Sequence, residues 1–248
     1  MDSIIKDKLQ EIEKNHAVKI LYACESGSRA WGFASPDSDY DVRFIYVHSI
    51  DHYLGIDEQR DVIELPINDV LDISGWELRK ALRLLRKSNA PLYEWIQSPI
   101  VYQHDNGFFE KLHEQMNPYF SPRAMMHHYI SMTKNVLDND LSGEKVKLKK
   151  YFYALRPVLA GLWIVKYNEA PPMEFGTLRI LLNPEFNSLV DDLLIQKSKV
   201  DEKFVINPIP LLHDWIKAQI DFCERLVPDR ETKPDATSLN EILRYYVQ

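Results

Sequence analysis

The stretch GSRAWGFASPDSDYDVRFIYV, residues 27–47, contains a Gly27-Ser28 pair, ten further residues, and an Asp39-Tyr40-Asp41 triplet that leads into an apolar run. Alternate residues of a β-strand point to the same face, so Asp39 and Asp41 would project together. Two ionised carboxylates at this spacing repel each other unless a counter-charge lies between them. Mg²⁺ is suited to that place because it binds one or two carboxylates together with water and substrate phosphates. The pattern therefore predicts a divalent-metal site.

The Gly27-Ser28 pair follows an apolar segment, residues 18–23, that is typical of a short buried strand. A glycine between a strand and a helix lets the backbone approach a ligand closely, and the free N–H groups at a helix start attract phosphate. Ser28 adds a hydroxyl donor and Arg29 a neighbouring positive charge. An anion-binding turn followed by metal-binding carboxylates is the apparatus of phosphoryl or nucleotidyl transfer.

This ordered combination resembles the signature of the DNA polymerase β nucleotidyltransferase superfamily. In that signature a Gly-Gly or Gly-Ser pair is followed, after a short gap, by an Asp-apolar-Asp or Asp-apolar-Glu triplet. The chain departs from it at Glu25-Ser26, where an apolar residue normally precedes the glycine. Residues 18–100 also resemble a bacterial and phage group of predicted nucleotidyltransferases, some of whose members accompany RNA-repair ligases; the resembling segments are GSRAWG, SDYDVR and LDISGWELRKALRLLRKSNAPLYEW.

The resemblance implies a polymerase-β-like domain, that is, a small mixed sheet flanked by helices. It also implies two Mg²⁺ ions, with Mn²⁺ as the alternative, and an NTP, ATP included, whose α-phosphate is attacked by a hydroxyl. Asp39 and Asp41 take the place of the metal-binding pair, and Gly27 and Ser28 would bind the β- and γ-phosphates. A third carboxylate normally comes from a neighbouring strand. Asp72 is the first choice for it by position, and Glu64 is the competitor.

Two basic stretches offer further anion contacts. The helix predicted over residues 76–87 has five positive charges between positions 79 and 87 and no acid there, and Arg79 and Lys80 are the candidates for a triphosphate or an acceptor phosphate. A solvated helix face is the alternative interpretation. Lysines at 145–150 lead into tyrosines and then Arg156, which stands in an apolar helix pattern and would need an anionic partner if buried.

The totals describe a globular chain of 248 residues, with 45% hydrophobic residues, 27% charged residues and a formal charge of −7. That charge leaves local patches as the means of binding nucleic acid. Cys24 and Cys223 form no disulfide framework or metal-ligand spacing, and Cys24 fits a buried strand. We find no signal peptide and no membrane-spanning stretch, so a cytoplasmic protein without membrane contacts is expected.

The secondary-structure pattern predicts an α+β protein. Residues 1–105 form the nucleotidyltransferase domain, with an opening helix, strands near 18–23, 40–47, 61–67 and 70–75, and the basic helix. Residues 106–248 form a helical domain, because strand signals fade and helices are predicted over 123–138, 147–168, 186–197, 208–227 and 238–247.

The expected function is metal-dependent transfer of an NMP from an NTP to a hydroxyl on an RNA end, a protein or a small molecule, with release of pyrophosphate. The alternative is a non-catalytic nucleotide- or RNA-binding regulatory module that keeps the fold. Retention of both Asp39 and Asp41 favours the enzyme, since a degenerate site usually loses one of them.

Overall fold

A computed structural model describes residues 1–57, 59–66, 70–229 and 234–247. Ile67, the last residue of the strand predicted over 61–67, lies outside the described residues. The strands are β1 Lys19–Ser26, β2 Tyr40–Val47, β3 Val62–Glu64, β4 Leu71–Glu77, β5 Val101–His104, β6 Val146–Lys147 and β7 Val205–Ile206. The helices are α1 Asp2–His16, α2 Gly27–Trp31, α3 Ile50–Leu54, α4 Leu78–Arg86, α5 Ala90–Ile96, α6 Asn106–Glu114, α7 Pro122–Asp140, α8 Leu148–Tyr167, α9 Phe175–Leu178, α10 Pro184–Lys197, α11 Pro210–Arg225 and α12 Thr237–Tyr246.

Five of these strands form a mixed sheet in the order β3-β4-β2-β1-β5. β1 pairs antiparallel with both β2 and β5, and β3 pairs antiparallel with β4. β2 and β4 are parallel, so they start at the same end of the sheet. The predicted α+β class and the small mixed sheet flanked by helices are confirmed.

The core beside the sheet is built by the periodicity of the first helix. Ile5, Leu9 and Ile12 recur at helical spacing and are all buried. They belong to one cluster with apolar residues of β1, β2 and β4, among them Ile20 and Val42. Burying such a side chain contributes about 1.5–3 kcal/mol, so α1 is fixed against the sheet by its apolar stripe.

The basic helix begins later than the sequence predicts. Trp76 and Glu77 still belong to β4, where Trp76 pairs with Val62 of the neighbouring strand. The Glu77 side chain accepts a hydrogen bond from the backbone N–H of Lys80 and caps α4. The prediction of a helix from residue 76 was wrong because the aromatic Trp76 continues the strand and Glu77 is the N-cap.

The contacts divide the chain into two compact units. The first consists of Met1–Gly27, Asp39–Tyr119 and Lys233–Gln248, and the second of Ser28–Ser38 and Phe120–Thr232. This division does not follow the predicted boundary at residue 105. Residues beyond it stay with the sheet, since Phe109 of α6 stacks on Tyr22 of β1 with ring centroids 5.5 Å apart. The C-terminal segment also returns to the first unit, where the Tyr119 hydroxyl donates to the Asp235 carbonyl at 2.8 Å.

The second unit is mainly helical. Its principal elements are α7, α8, α10 and α11, which agree with the predicted helices to within a few residues. In the described part of the chain, the structure contains no helix with the length and apolar character needed to cross a bilayer.

Candidate functional site

The parallel pairing of β2 and β4 brings two of the predicted carboxylates together. Asp41 and Asp72 are direct register partners near the starts of these strands. Their side chains are partly exposed, at 32% and 27%, so solvent and ligands can reach them. Partners in register project to the same face of a sheet, and the strands are separated by about 4.8 Å. Two carboxylates at this separation need a counter-charge.

Arg43 supplies a counter-charge in the structure. Its Nη2 donates to Oδ1 of Asp41 at 3.3 Å and to Oδ2 of Asp72 at 2.7 Å. Its Nη1 donates to the carbonyl oxygens of Val42 at 3.0 Å and of Asp72 at 3.1 Å. The guanidinium is thus fixed on the same face as the carboxylates. Sequence reasoning missed Arg43, although its place two residues after Asp41 puts it on that face.

Gly27 lies directly against the Asp41 carboxylate. Ser26, the last residue of β1, is the register partner of Asp41, and the chain turns at Gly27 with φ +65°. A Cβ on Gly27 would lie 2.1 Å from Oδ2 of Asp41. Glycine is required for two reasons, because its backbone is in the left-handed region and because the carboxylate occupies the side-chain position.

Glu25 is a buried carboxylate that fixes the backbone at this point. It is completely buried, and its Oε1 accepts a hydrogen bond from the Asp41 N–H at 2.7 Å. Its Oε2 accepts from the Tyr102 hydroxyl. Burial and this hydrogen bond raise the pKa of Tyr102. Glu25 therefore has a structural use at the position where the sequence departs from the superfamily signature.

The two remaining carboxylate candidates are not register partners of this pair. Asp39 precedes β2 by one residue and is exposed. Glu64 lies on β3, the strand next to β4, and pairs there with Ser74, two positions after Asp72. Its exposed side chain lies 4.0 Å from the Arg60 guanidinium. The register therefore favours Asp72 over Glu64 as the partner of Asp41, while the ligand role of each stays a prediction.

The residues between the two halves of the motif belong to the second unit and are held there by polar contacts. Arg29 Nη2 donates to the Ser38 carbonyl at 2.6 Å, and the Ser38 hydroxyl donates to Glu202 at 2.6 Å. Lys149 forms an ion pair with Glu202 at 2.7 Å, and Lys197 Nζ donates to the Ser35 hydroxyl at 2.6 Å. We call residues 28–38 the connecting segment. Ser28 is buried within it, and the predicted roles of Ser28 and Arg29 toward phosphate stay predictions.

These contacts shift the pKa values of Glu202 and Lys197. Burial alone would raise the pKa of Glu202, but the hydrogen bonds from Lys149 and Ser38 outweigh it and hold that pKa below its ordinary value. Burial lowers the pKa of Lys197, against the opposing effect of Glu202. An ionised Glu202 is thus part of what fixes the connecting segment.

Aromatic packing anchors the same segment. The ring centroid of Phe33 lies 5.3 Å from that of Phe152 and 5.5 Å from that of Phe175. The guanidinium of the buried Arg156 lies 4.6 Å from the Trp31 ring centroid, and its Nε donates to the Met173 carbonyl at 3.1 Å. Arg156 therefore contributes to the packing around Trp31, and the anionic partner predicted for it stays a prediction.

The predicted phosphate-binding residues Arg79 and Lys80 lie away from the paired aspartates, and their phosphate contacts stay predictions. Both residues follow Glu77, which ends β4, whereas Asp72 lies near its start. Five residues of extended strand span about 16 Å, so α4 begins well away from Asp72. Lys80 forms an ion pair with Asp61 at 2.9 Å, and Arg79 lies 5.0 Å from the Tyr53 ring centroid.

The donor set can be tested against the predicted metal. Among the residues that the structure describes, no three His, Cys, Asp or Glu side chains gather closely enough to hold an ion. Mg²⁺, however, usually keeps several waters and binds through one or two carboxylates plus substrate phosphates. Asp41 and Asp72 provide such a pair of hard oxygen ligands, partly exposed and in register. The residues present fit a Mg²⁺ that is completed by substrate.

Comparisons with known proteins identify a family and similar proteins. A solved structure of a nucleotidyltransferase-like protein from Exiguobacterium sibiricum 255-15 is 14% identical, covers 98% of this chain and 79% of its own, and has a TM-score of 0.32. The chain is 47% identical over 247 residues to a Bacillus subtilis (strain 168) protein named "Uncharacterized protein YcgL", covering 98% of this chain and 95% of that protein. The family described as "RNA repair pathway DNA polymerase beta family" matches residues 1–245. The chain therefore belongs to the RNA repair pathway DNA polymerase beta family.

Proposed function

We propose that this protein is a metal-dependent nucleotidyltransferase that moves an NMP from an NTP to a hydroxyl acceptor and releases pyrophosphate. The observation that carries the proposal is the register pairing of Asp41 with Asp72, with Gly27 against the Asp41 carboxylate. Membership of a DNA polymerase β family supports it independently of the geometry. The acceptor is an RNA end, a protein or a small molecule, and the family's description favours RNA.

Asp41 and Asp72, together with Asp39, would hold two Mg²⁺ or Mn²⁺ ions. Bound metal would neutralise phosphate charge and lower the pKa of the attacking hydroxyl. The acceptor oxygen forms a bond to the α-phosphorus while the bond from that phosphorus to the bridging oxygen of the β-phosphate breaks, and pyrophosphate leaves with the electron pair. Among the described residues Oδ1 of Asp72 has no hydrogen-bond partner, so it can accept the hydroxyl proton.

A second candidate function is a nucleotide-binding module without turnover. The observation that favours it is Arg43, whose guanidinium bridges Asp41 and Asp72 and already balances part of their charge. If that bridge persists when nucleotide is bound, metal cannot use the same oxygens. The two functions differ in whether pyrophosphate is produced.

The test is incubation of the protein with each labelled NTP and Mg²⁺ or Mn²⁺, with and without RNA, followed by measurement of label transfer and pyrophosphate. Asp41→Asn and Asp72→Asn remove charge with almost no change in volume, and we expect them to abolish transfer while the fold is kept. Glu64→Gln is the matched control, since it removes a carboxylate one strand away, and it should retain transfer.

One result would contradict the enzyme and another would contradict the proposed site. Nucleotide binding without pyrophosphate release, across all NTPs and acceptors tried, would support the module. Transfer that survives Asp41→Asn and Asp72→Asn but is lost in Glu64→Gln would move the site to the edge strand β3.

A further inference from the structure

Three arginines of α4 form a row on one side of the helix. Arg79, Arg83 and Arg86 are spaced by four and three residues, which places them above one another along about 10 Å of helix. Among the described residues none of the three forms an ion pair; Arg86 donates to the Pro234 carbonyl at 3.3 Å, and Arg79 lies over the Tyr53 ring. We call these residues the arginine row.

The arginine row lies between two cavities of the first unit. One has a volume of about 270 Å³ and the other about 290 Å³, and Arg79 and Arg83 line both. A ligand that fills both cavities must therefore extend along the row. A single phosphate is too small to do so, whereas a strand with regularly spaced phosphates is not.

The acids that line the first cavity are mostly engaged. Asp61 pairs with Lys80 at 2.9 Å, and Glu77 accepts from the Lys80 N–H and from the Tyr53 hydroxyl. Asp57 is the remaining carboxylate of this lining. The described lining has four cations, Arg60, Arg79, Lys80 and Arg83, against these three acids, so the local charge is positive on a chain whose formal charge is −7.

The second cavity adds apolar surface next to the guanidinium groups. Leu82 of α4 and Leu239 and Leu243 of α12 belong to its lining; Leu82 and Leu239 are buried, and Leu243 is partly exposed. Sugars and bases of an unpaired strand present apolar faces that a duplex hides, and proteins bind single strands by combining a basic groove with such surfaces. The combination fits a single strand better than a duplex.

We propose that the arginine row and the two cavities beside it form a docking surface for single-stranded RNA. The surface is distinct from the paired aspartates, since α4 begins about 16 Å of strand away from Asp72. The inference rests on the proposed function for the choice of RNA, because it selects the RNA end among the acceptors named above. The binding itself requires neither nucleotide nor metal.

The test measures binding of a labelled short single-stranded RNA by fluorescence anisotropy, without NTP or divalent cation, at several salt concentrations. The variant is R79Q/R83Q/R86Q, and R79Q/R83Q is the second variant because Arg86 also contacts the Pro234 carbonyl. The matched control is K6Q/K8Q/K19Q, which removes three positive charges from exposed ion pairs of the same unit.

We expect the triple arginine variant to lose about tenfold or more in RNA affinity. The slope of log affinity against log salt concentration should become shallower by about 2, since each of the three lost phosphate contacts contributes about 0.7. The double variant should lose part of that affinity, and the lysine control should change little. Equal losses in the arginine and lysine variants would overturn the surface, since they would show a general charge effect.

Two competition experiments separate the other occupants. If inorganic phosphate or an NTP displaces RNA completely at low concentration, the surface binds a small anion and not a strand. If an acidic peptide binds more tightly than RNA, the surface binds a protein segment. Either result overturns the proposal. Because binding is measured without turnover, RNA affinity that depends on the arginine row stands even if no nucleotidyl transfer is found.

Discussion

Asp41 and the connecting segment that precedes it in residues 27–47 are held by different physical means. Asp41 is placed by backbone pairing, because β1 and β4 flank β2 and Asp72 is its direct partner. The connecting segment, residues 28–38, is placed by side chains that lie far along the chain, such as Glu202 and Phe152. The backbone hydrogen bonds that set the register do not titrate, whereas the contacts of the connecting segment include the ionised Glu202. The two regions should therefore fail under different perturbations.

The largest effect is expected at the turn into the connecting segment. Gly27→Ala introduces a Cβ 2.1 Å from Oδ2 of Asp41 at φ +65°, so the backbone is strained and the carboxylate must move. We expect the free energy of unfolding to fall by about 2–4 kcal/mol, from left-handed strain and overpacking together. Thermal or denaturant unfolding measures the loss, and nucleotidyl transfer, if present, should fall with it.

Gly32→Ala is the matched control. Gly32 has φ +87°, but nothing lies within 4 Å of a Cβ built there. It should lose only the strain, about 1–2 kcal/mol, and Asp41 should keep its place. Equal losses in both variants would show that strain alone matters at Gly27 and that the Asp41 carboxylate adapts without cost.

The difference between the regions also explains what sequence could predict. Alternation within a strand and the glycine before a helix are local, so Asp39, Asp41 and Gly27 could be read directly, and the position of Asp72 at the start of its strand was enough to choose it. Arg43 was equally local and was overlooked. The contacts of Ser38 with Glu202 and of Ser35 with Lys197 join residues more than 160 positions apart, and a single sequence has no period that reveals them. The assignment of the connecting segment to the second unit was unpredictable for the same reason.

The boundary between β4 and α4 shows the same limit. The five positive charges of 79–87 were visible, but their distance from Asp72 depends on where β4 ends. Trp76 and Glu77 fit either a strand end or a helix start by pattern, and pairing with β3 decides between them. An error of two residues at this boundary adds about 7 Å of strand between Asp72 and the start of the basic helix.

A smaller, pH-dependent effect is expected in the connecting segment. Glu202→Gln keeps the volume but removes the charge that Lys149 and Ser38 hold, and we expect a loss of about 1 kcal/mol at neutral pH, since the pair is partly solvated. The folded-state pKa of Glu202 is lowered, so its stabilisation is complete above its unfolded-state pKa of about 4.3 and is lost as pH falls through the folded-state value. The difference in unfolding free energy between wild type and Glu202→Gln should therefore shrink below about pH 4.3.

Glu144→Gln is the control for this pH series. Glu144 lies in the same unit, is exposed, and forms no ion pair with any described residue. Its variant should match wild type at every pH. If the difference in unfolding free energy between wild type and Glu202→Gln stays constant across the acid range, packing and not charge holds Ser38.

The smallest expected effects are changes in the rate at which the two cysteines are labelled by a thiol reagent. Each rate reports on the unit that contains the cysteine. Cys24 lies in β1 of the first unit and Cys223 in α11 of the second, and both are buried. Burial raises the pKa of Cys24 to about 12 and of Cys223 to about 11, so neither thiol should react in the native protein at pH 8. Labelling then requires local opening of the structure. The labelling rate at each cysteine is measured by peptide mass and reports the stability of the unit that contains it.

We expect Gly27→Ala to accelerate labelling of Cys24 more than that of Cys223. Glu202→Gln should accelerate Cys223 about fivefold, as 1 kcal/mol implies, with less effect on Cys24. Equal acceleration of both cysteines by each variant would show that the units open as one cooperative body. The comparison between Asp41 and the connecting segment would then hold for local geometry but not for stability.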